Sequence, residues 1–305
     1  WMTFGVAILV AACGGGGGSS GGVTAGIDRG GIVTATGSIT GFGSVHVNGV
    51  HYVTTGATIT LDDSPGTESD LRVGQVVRIE GRINQDGVNG TATRVIFDDE
   101  VEGPVQSIDR TNSRLVVLGR TVQVSTQTSF DDSISPRSLD GVAVGDRIEV
   151  SGRVATTGVV EATRIERKAA QSSVEVKGAI SSLDTNARRF ALSQLTVSYA
   201  SAQLNGFASG QPANGDRVEA FGAVDANGVL VATRVERESG GAAGNADEQA
   251  DYEGLVTSFV SATDFAVAGQ RVTTTASTTY EGGTASSLAL DVPVEVEGRF
   301  NASGV

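Results

Sequence analysis

Apolar and polar residues alternate with a period of two in short runs, and the runs recur in the same order along the chain. The clearest run reads Val144-Gly145-Asp146-Arg147-Ile148-Glu149-Val150-Ser151-Gly152-Arg153, followed after a turn by Ala162-Thr163-Arg164-Ile165. An earlier copy runs from Val73 to Arg82 and closes on Ala92-Thr93-Arg94-Val95; a later one runs from Asn214 to Gly222 and closes on Ala232-Thr233-Arg234-Val235. A fourth begins at Asp291 and contains Val294-Glu295-Val296-Glu297-Gly298-Arg299. In the first three copies Gly81, Gly152 and Gly222 follow Gly74, Gly145 and Gly215 at the same interval, so the motif is a true internal repeat. A period of two predicts strands. It places Ile148 and Val150 inward and the charges of Arg147 and Glu149 outward.

A second recurring run opens each repeat after the first. It reads Val101-Glu102-Gly103-Pro104-Val105-Gln106-Ser107-Ile108-Asp109, then Val176-Lys177-Gly178 to Asp184, then Tyr252-Glu253-Gly254 to Phe259. In the first repeat, Val45 to Tyr52 alternates around Asn48-Gly49, a pair suited to a two-residue hairpin turn with positive φ at both positions. That register pairs Val47 with Val50 and His46 with His51. Thr58 to Leu61 continues the strands, Asp62 to Gly66 reads as a turn, and Asp70 to Val73 as one helical turn.

Each complete repeat therefore reads as three strands, a short helix or loop, and two more strands. That order and size fit an all-β tandem array of small five-stranded barrels of the oligonucleotide/oligosaccharide-binding (OB) type. Gly81, Gly152 and Gly222 fall inside strands, where glycine marks a bulge or a barrel corner; with Gly74, Gly145, Gly215 and Gly298 they form the structural motif. The Arg of Ala-Thr-Arg and the Glu of the motif are expected to pair across strands, for a few tenths to about 1 kcal/mol. The expected divisions are a signal segment at 1–13, a Gly/Ser-rich tether at 14–31, repeats at 32–100, 101–168 and 174–238, a mobile linker at 239–250, and an incomplete repeat at 251–305. The fourth repeat reaches Val305 before its Ala-Thr-Arg strand, so the natural chain is expected to continue and this repeat to present an open edge.

Composition narrows the function classes. The chain has 42 Gly and 5 Pro, which suits strands joined by tight turns. Its formal charge of −13 argues against nucleic acid as a partner, because phosphate binding is driven by clustered Lys and Arg. With 2 His and 1 Cys there is little supply of bases or nucleophiles, and no hydrolase or redox motif occurs. No enzyme activity and no cofactor are expected. The acid groups Asp62-Asp63, Asp98-Asp99-Glu100 and Asp131-Asp132 lack the alternating spacing of calcium loops and read as solvated turns. His46 and His51, opposed across the hairpin, are weak metal candidates that lack third and fourth ligands. Oligomer-binding barrels display aromatics for stacking; Phe42, Tyr52, Tyr199 and Phe221 occupy different positions in their repeats and read as core.

Phe4 to Ala12 is an apolar run too short to span a bilayer, ending at Val10-Ala11-Ala12-Cys13. It resembles the lipobox of bacterial lipoproteins, in which small residues precede a Cys that is acylated, although no basic residue precedes Phe4. The resemblance implies lipid attachment at Cys13 and, since Gly14 is not Asp, outer-membrane sorting. The Gly14 to Gly22 segment would then be a flexible tether. Beyond it, the openings, the Gly-Asp-x-Val/Ile-Glu-Val-x-Gly core and the Ala-Thr-Arg ending resemble a family of tandem bacterial envelope domains of unknown function. Two function classes follow as expectations: a non-catalytic scaffold or spacer that contacts other envelope proteins, or a binding protein for an oligosaccharide or peptide.

Overall fold

A computed structural model describes residues 30–238 and 244–305. The signal segment, Cys13, the tether up to residue 29 and the linker positions 239–243 lie outside the described residues. The first repeat contributes β1 (Gly31–Ser38), β2 (Val45–Val47), β3 (Val50–Val53), β4 (Thr58–Leu61), β5 (Ser64–Gly66), β6 (Val76–Ile83) and β7 (Asn89–Phe97). The second contributes β8 (Val101–Asp109), β9 (Arg114–Val117), β10 (Arg120–Gln123), β11 (Ser129–Phe130), β12 (Arg147–Val154) and β13 (Val160–Arg167). The third supplies β14 (Val174–Asp184), β15 (Arg189–Leu192), β16 (Leu195–Ser198), β17 (Gln203–Asn205), β18 (Arg217–Val224) and β19 (Leu230–Arg237). The fourth supplies β20 (Gln249–Ser261), β21 (Asp264–Val267), β22 (Gln270–Val272) and β23 (Pro293–Arg299). The protein is all-β; its helical pieces among the described residues are single 3-10 turns.

The second and third repeats each close a ring of five strands. In the third, β14 pairs with β15, β15 with β16, β16 with β19 in parallel, β19 with β18, and β18 returns to β14. The second follows the same circuit through β8, β9, β10, β13 and β12. In the first, β1 pairs β6, β6 pairs β7, β7 runs parallel to β3, and β3 pairs β2. The Gly41–His46 bridge and the Asn48 side chain on the Thr36 carbonyl bring β2 back to β1. Numbering the ring strands one to five within a repeat, the order is one-two-three-five-four, with three and five parallel. A further short strand (β4, β11 or β17) runs parallel to the last strand outside this ring.

The repeated motif sets the bulge that lets each ring curve. Glu80 faces Arg94 but Gly81 faces Ala92, so Thr93 is the extra residue, and the same shift occurs at Ser151/Gly152 and Phe221/Gly222. Thr93 donates its hydroxyl to the Glu80 carbonyl at 3.0 Å, and Thr233 to the Phe221 carbonyl at 3.2 Å. A bulge brings the strands into close approach. A Cβ on Gly81, Gly152 or Gly222 would lie 2.4, 2.4 or 2.1 Å from the carbonyl oxygen of Thr91, Glu161 or Val231. Gly74, Gly145 and Gly215, at φ of 92°, 91° and 90°, turn the chain into the strand that follows.

Two compact units result, one holding the first and fourth repeats and the other beginning at Asp99 and holding the second and third. Within the first unit β1 and β20 pair in parallel, Val33 with Gln249 through Thr36 with Tyr252. Within the second, β8 and β14 pair antiparallel, Val101 with Val176. Here the cores of both repeats form one apolar cluster, from Val101 to Val235. In the first unit the cores are separate: Val33 to Phe97 in the first repeat and Val256 to Val296 in the fourth.

Several expectations change. Ile148 and Val150 are buried, but so are the charges: Glu149 is 2% exposed and paired with Lys168, and the Arg147 side chain is 9% exposed and paired with Glu102. The Arg–Glu pair forms across strands as Arg94–Glu80 at 3.5 Å; in the later repeats the register sets Ser151 and Phe221 opposite the Arg. The turn read at Asp62 to Gly66 is two residues, Asp62 and Asp63 with positive φ, and Ser64–Gly66 is a strand paired with β4. The helical turn lies at Glu68–Asp70, ahead of the expected position. Gln249 and Ala250, read as linker, already belong to β20, because β1 supplies them with a partner.

Candidate functional site

The hairpin turn at Asn48-Gly49 forms with φ of 49° and 76°, and Val47–Val50 and His46–His51 are cross-strand partners. The imidazoles stack face to face, with centroids 3.8 Å apart and planes 4° from parallel. A metal bound by imidazole sits in the ring plane along a nitrogen lone pair, and two stacked parallel rings share no such point. This arrangement therefore does not chelate one ion. The aromatics divide: Tyr52 and Tyr199 are core, whereas Phe42 is 41% exposed and Phe221 lies half-buried beneath Arg234, whose guanidinium carbon is 3.8 Å from the ring centroid. Phe42 stands on an exposed loop between β1 and β2, which is why the core reading fails there. Cys13 lies outside the described residues.

Of the acids read as solvated turns, Asp99 is instead fully buried, whereas those at Asp131-Asp132 have local uses. Asp131 accepts from the Ser133 amide at 2.9 Å, and Asp132 pairs with Arg137 at 2.8 Å. Glu100 accepts two bonds from Arg217 at 2.8 and 3.0 Å and faces the buried Arg120 at 3.7 Å. Arg120 in turn donates to the Lys177 carbonyl, and Lys177 pairs with Glu219 at 3.0 Å with both side chains under 10% exposed. This network joins the second and third repeats. It is structural.

The electrostatically unusual place is the join between the first and fourth repeats. Antiparallel pairing sets Asp251 opposite Glu297 and Glu253 opposite Glu295. Alternate residues share a face, so β20 and β23 carry four carboxylates on one face, while Val294 and Val296 on the other enter the fourth repeat's core. The first repeat covers the acid face. Asn48 donates to Asp251 Oδ1 at 2.8 Å and the Ser38 amide to Glu253 Oε2 at 3.1 Å. Asp251 is fully buried, and Asp251 Oδ2, Glu297 Oε2, Asn48 Oδ1 and the Tyr52 hydroxyl have no hydrogen-bond partner.

Burial pushes the Asp251 carboxyl well above the usual range, Glu295 adds to it, and the Asn48 bond opposes it. Burial and then Glu253 raise Glu295; burial, Glu295 and Glu281 push Glu297 up to about 7. Burial, then the Asp251 charge, raises Tyr52. Composition alone places acids at the surface, and this face departs from that expectation because the first repeat covers it. A signal existed in the repeat alignment: Lys177 of the third repeat becomes Glu253 in the fourth.

The sign of the resulting pH dependence is fixed. These acids have folded pKa values above the unfolded values of about 4, so between the two the native state binds more protons than the unfolded one. Stability of this unit is greatest near the unfolded value and is lost as pH rises toward 7. In chelator, calorimetry of the full chain should show its melting midpoint falling between about pH 5 and 7.5, and Asp251→Asn should flatten the fall. A midpoint that rises over that range contradicts the assignment.

Four segments of the chain, residues 30–96, 102–166, 177–236 and 253–305, match a single family, described as a domain of unknown function (DUF5666). A search of curated proteins finds none that matches. Among solved structures the chain is similar to drosophila Unr CSD456, at 15% identity over 57% of this chain and 84% of that one, with a TM-score of 0.19, too low to carry an argument.

Proposed function

From the premise that the chain belongs to the DUF5666 family and repeats its domain four times, we propose that it is a bacterial cell-envelope lipoprotein whose repeats are a non-catalytic scaffold or protein-interaction module. The complete repeats are OB-like barrels, a reading supported by the ring order one-two-three-five-four with strands three and five parallel. The observation that carries the scaffold reading is how repeats combine. Strands of different repeats pair directly, and in the second and third a shared apolar core and the Arg217–Glu100 ion pair extend the join. Such joins make stiff bodies from small domains that would each bury little core alone. Lipid attachment at Cys13, followed by the glycine tether, would hold these bodies off the outer membrane.

Expressed from the full-length gene, the protein is expected to fractionate with membranes, and Cys13→Ser to release it or to accumulate an unprocessed precursor. Soluble wild-type protein would end the anchor proposal. A second reading, binding of an oligosaccharide or peptide on a barrel face, is favoured by the exposed Phe42 close to the stacked His46–His51 pair. Saturable binding to one class on a glycan array, lost in Phe42→Ala, would put this reading first.

A further inference from the structure

The two joins between repeats are built differently. The second and third repeats share one apolar cluster, whereas the first and fourth keep separate cores, Val33 to Phe97 and Val256 to Val296. The join of the first and fourth rests on the parallel pairing of β1 with β20 and on the Asn48 and Ser38 bonds to Asp251 and Glu253. Asn48 ties both strands together: its Nδ2 donates to the Thr36 carbonyl at 3.1 Å and to Asp251 Oδ1 at 2.8 Å. Gly37 leaves room for this amide, since a Cβ there would lie 2.0 Å from Asn48 Oδ1.

Two atoms of the contact are buried without a partner, Asp251 Oδ2 and Asn48 Oδ1. Both are acceptors when Asp251 is ionised, and each belongs to a planar group already bonded to the other through its first polar atom. A proton on Asp251 Oδ2 makes that oxygen a donor to Asn48 Oδ1, closing an acid–amide ring with two hydrogen bonds in place of one. Buried acceptors without partners are costly, so the contact favours the protonated acid.

Among the described residues, the charges acting on Asp251 are those of carboxylates: Glu295 and Glu297 on β23 and Glu253 on β20. β1 carries no titratable side chain. Arg78 of β6 is opposite Thr36, which puts it on the other face of the sheet from Asp251, aligned with Ala35. Tyr52 of β3 is raised by burial and then by the Asp251 charge, so it stays neutral.

We propose that the join between the first and fourth repeats is a proton-operated latch. It is closed while Asp251 Oδ2 carries a proton shared with Asn48 Oδ1, and it opens when that proton passes to solvent. Opening separates two folded repeats and unfolds neither, because each keeps its own core. Burial and the neighbouring carboxylates hold the folded pKa of Asp251 above its unfolded value of about 4, so low pH closes the latch and rising pH releases it.

The test uses the full chain carrying Cys13→Ser, Thr55→Cys and Thr279→Cys, with a spin label at each introduced thiol; Thr55 and Thr279 are exposed positions of the first and fourth repeats. Electron-resonance distance measurement should give a narrow short-distance peak at about pH 5 and lose it by about pH 8.5, with the strand signal in circular dichroism unchanged. Asp251→Asn replaces the proton by a permanent N–H donor to Asn48 Oδ1 and should keep the peak at both pH values. Should that variant fail to fold, Glu297→Gln, which removes one opposing charge, must shift the loss of the peak to higher pH. A wild-type peak that persists to about pH 8.5, or one lost equally in Asp251→Asn, overturns the proposal. Loss of the strand signal together with the peak overturns it too, because the repeats would then be unfolding and not parting.

Discussion

Replacing Gly222 with Ala is expected to destabilise the third repeat by about 3 kcal/mol, the upper range for an atom forced into closely packed structure. The new Cβ would lie 2.1 Å from the Val231 carbonyl oxygen and 2.9 Å from Ala232 Cα, all backbone that a rotamer change cannot move. Relief requires opening the bulge at Phe221/Gly222, which also loosens the Thr233 hydroxyl from the Phe221 carbonyl. Two controls isolate the clash. Gly298→Ala, at the equivalent position of the fourth repeat, meets nothing within 4 Å and should leave stability nearly unchanged. Gly145→Ala also meets nothing but sits at φ of 91°, so it should carry only backbone strain, on the order of 1–3 kcal/mol. Denaturant unfolding, with hydrogen exchange of β18 and β19 to localise the effect, measures all three. If Gly222→Ala unfolds at the wild-type midpoint, the close approach is not a constraint on this barrel.

Removing the lysine of the buried pair should have an effect of similar size. Lys177→Met leaves Glu219 buried beside an apolar chain, and breaking one partner of a buried pair costs about 3–5 kcal/mol. The Lys177 and Glu219 side chains are 4% and 8% exposed and 3.0 Å apart, so little water can replace the ammonium. Lys177→Met combined with Glu219→Met removes both charges and should recover most of the loss. Melting of single and double variants checks this; equal losses in both would show that packing of the lysine stem, not its charge, holds the pair.

The repeat, its strand period and the hairpin at Asn48-Gly49 could be read from the chain because each depends on neighbours a few residues apart. A two-residue alternation sets which side chains share a face, and Asn-Gly supplies positive φ wherever it stands. The bulge was half legible. Glycine inside a strand pointed to it, but only the pairing shows that Thr93, Thr163 and Thr233 are the extra residues and that the glycines face a carbonyl across the ring. Alternation could not tell that the outer face of one repeat becomes the inner face of a join. Glu149 and Glu219 occupy outward positions within their own strands, yet both are buried, paired with Lys168 and Lys177. Asp251 is the extreme case: its hydrogen-bond partner Asn48 lies 203 residues away, and the parallel pairing of β1 with β20 brings their strands together. Local sequence determines strand, turn and face; which face meets water is decided by contacts that no local period encodes.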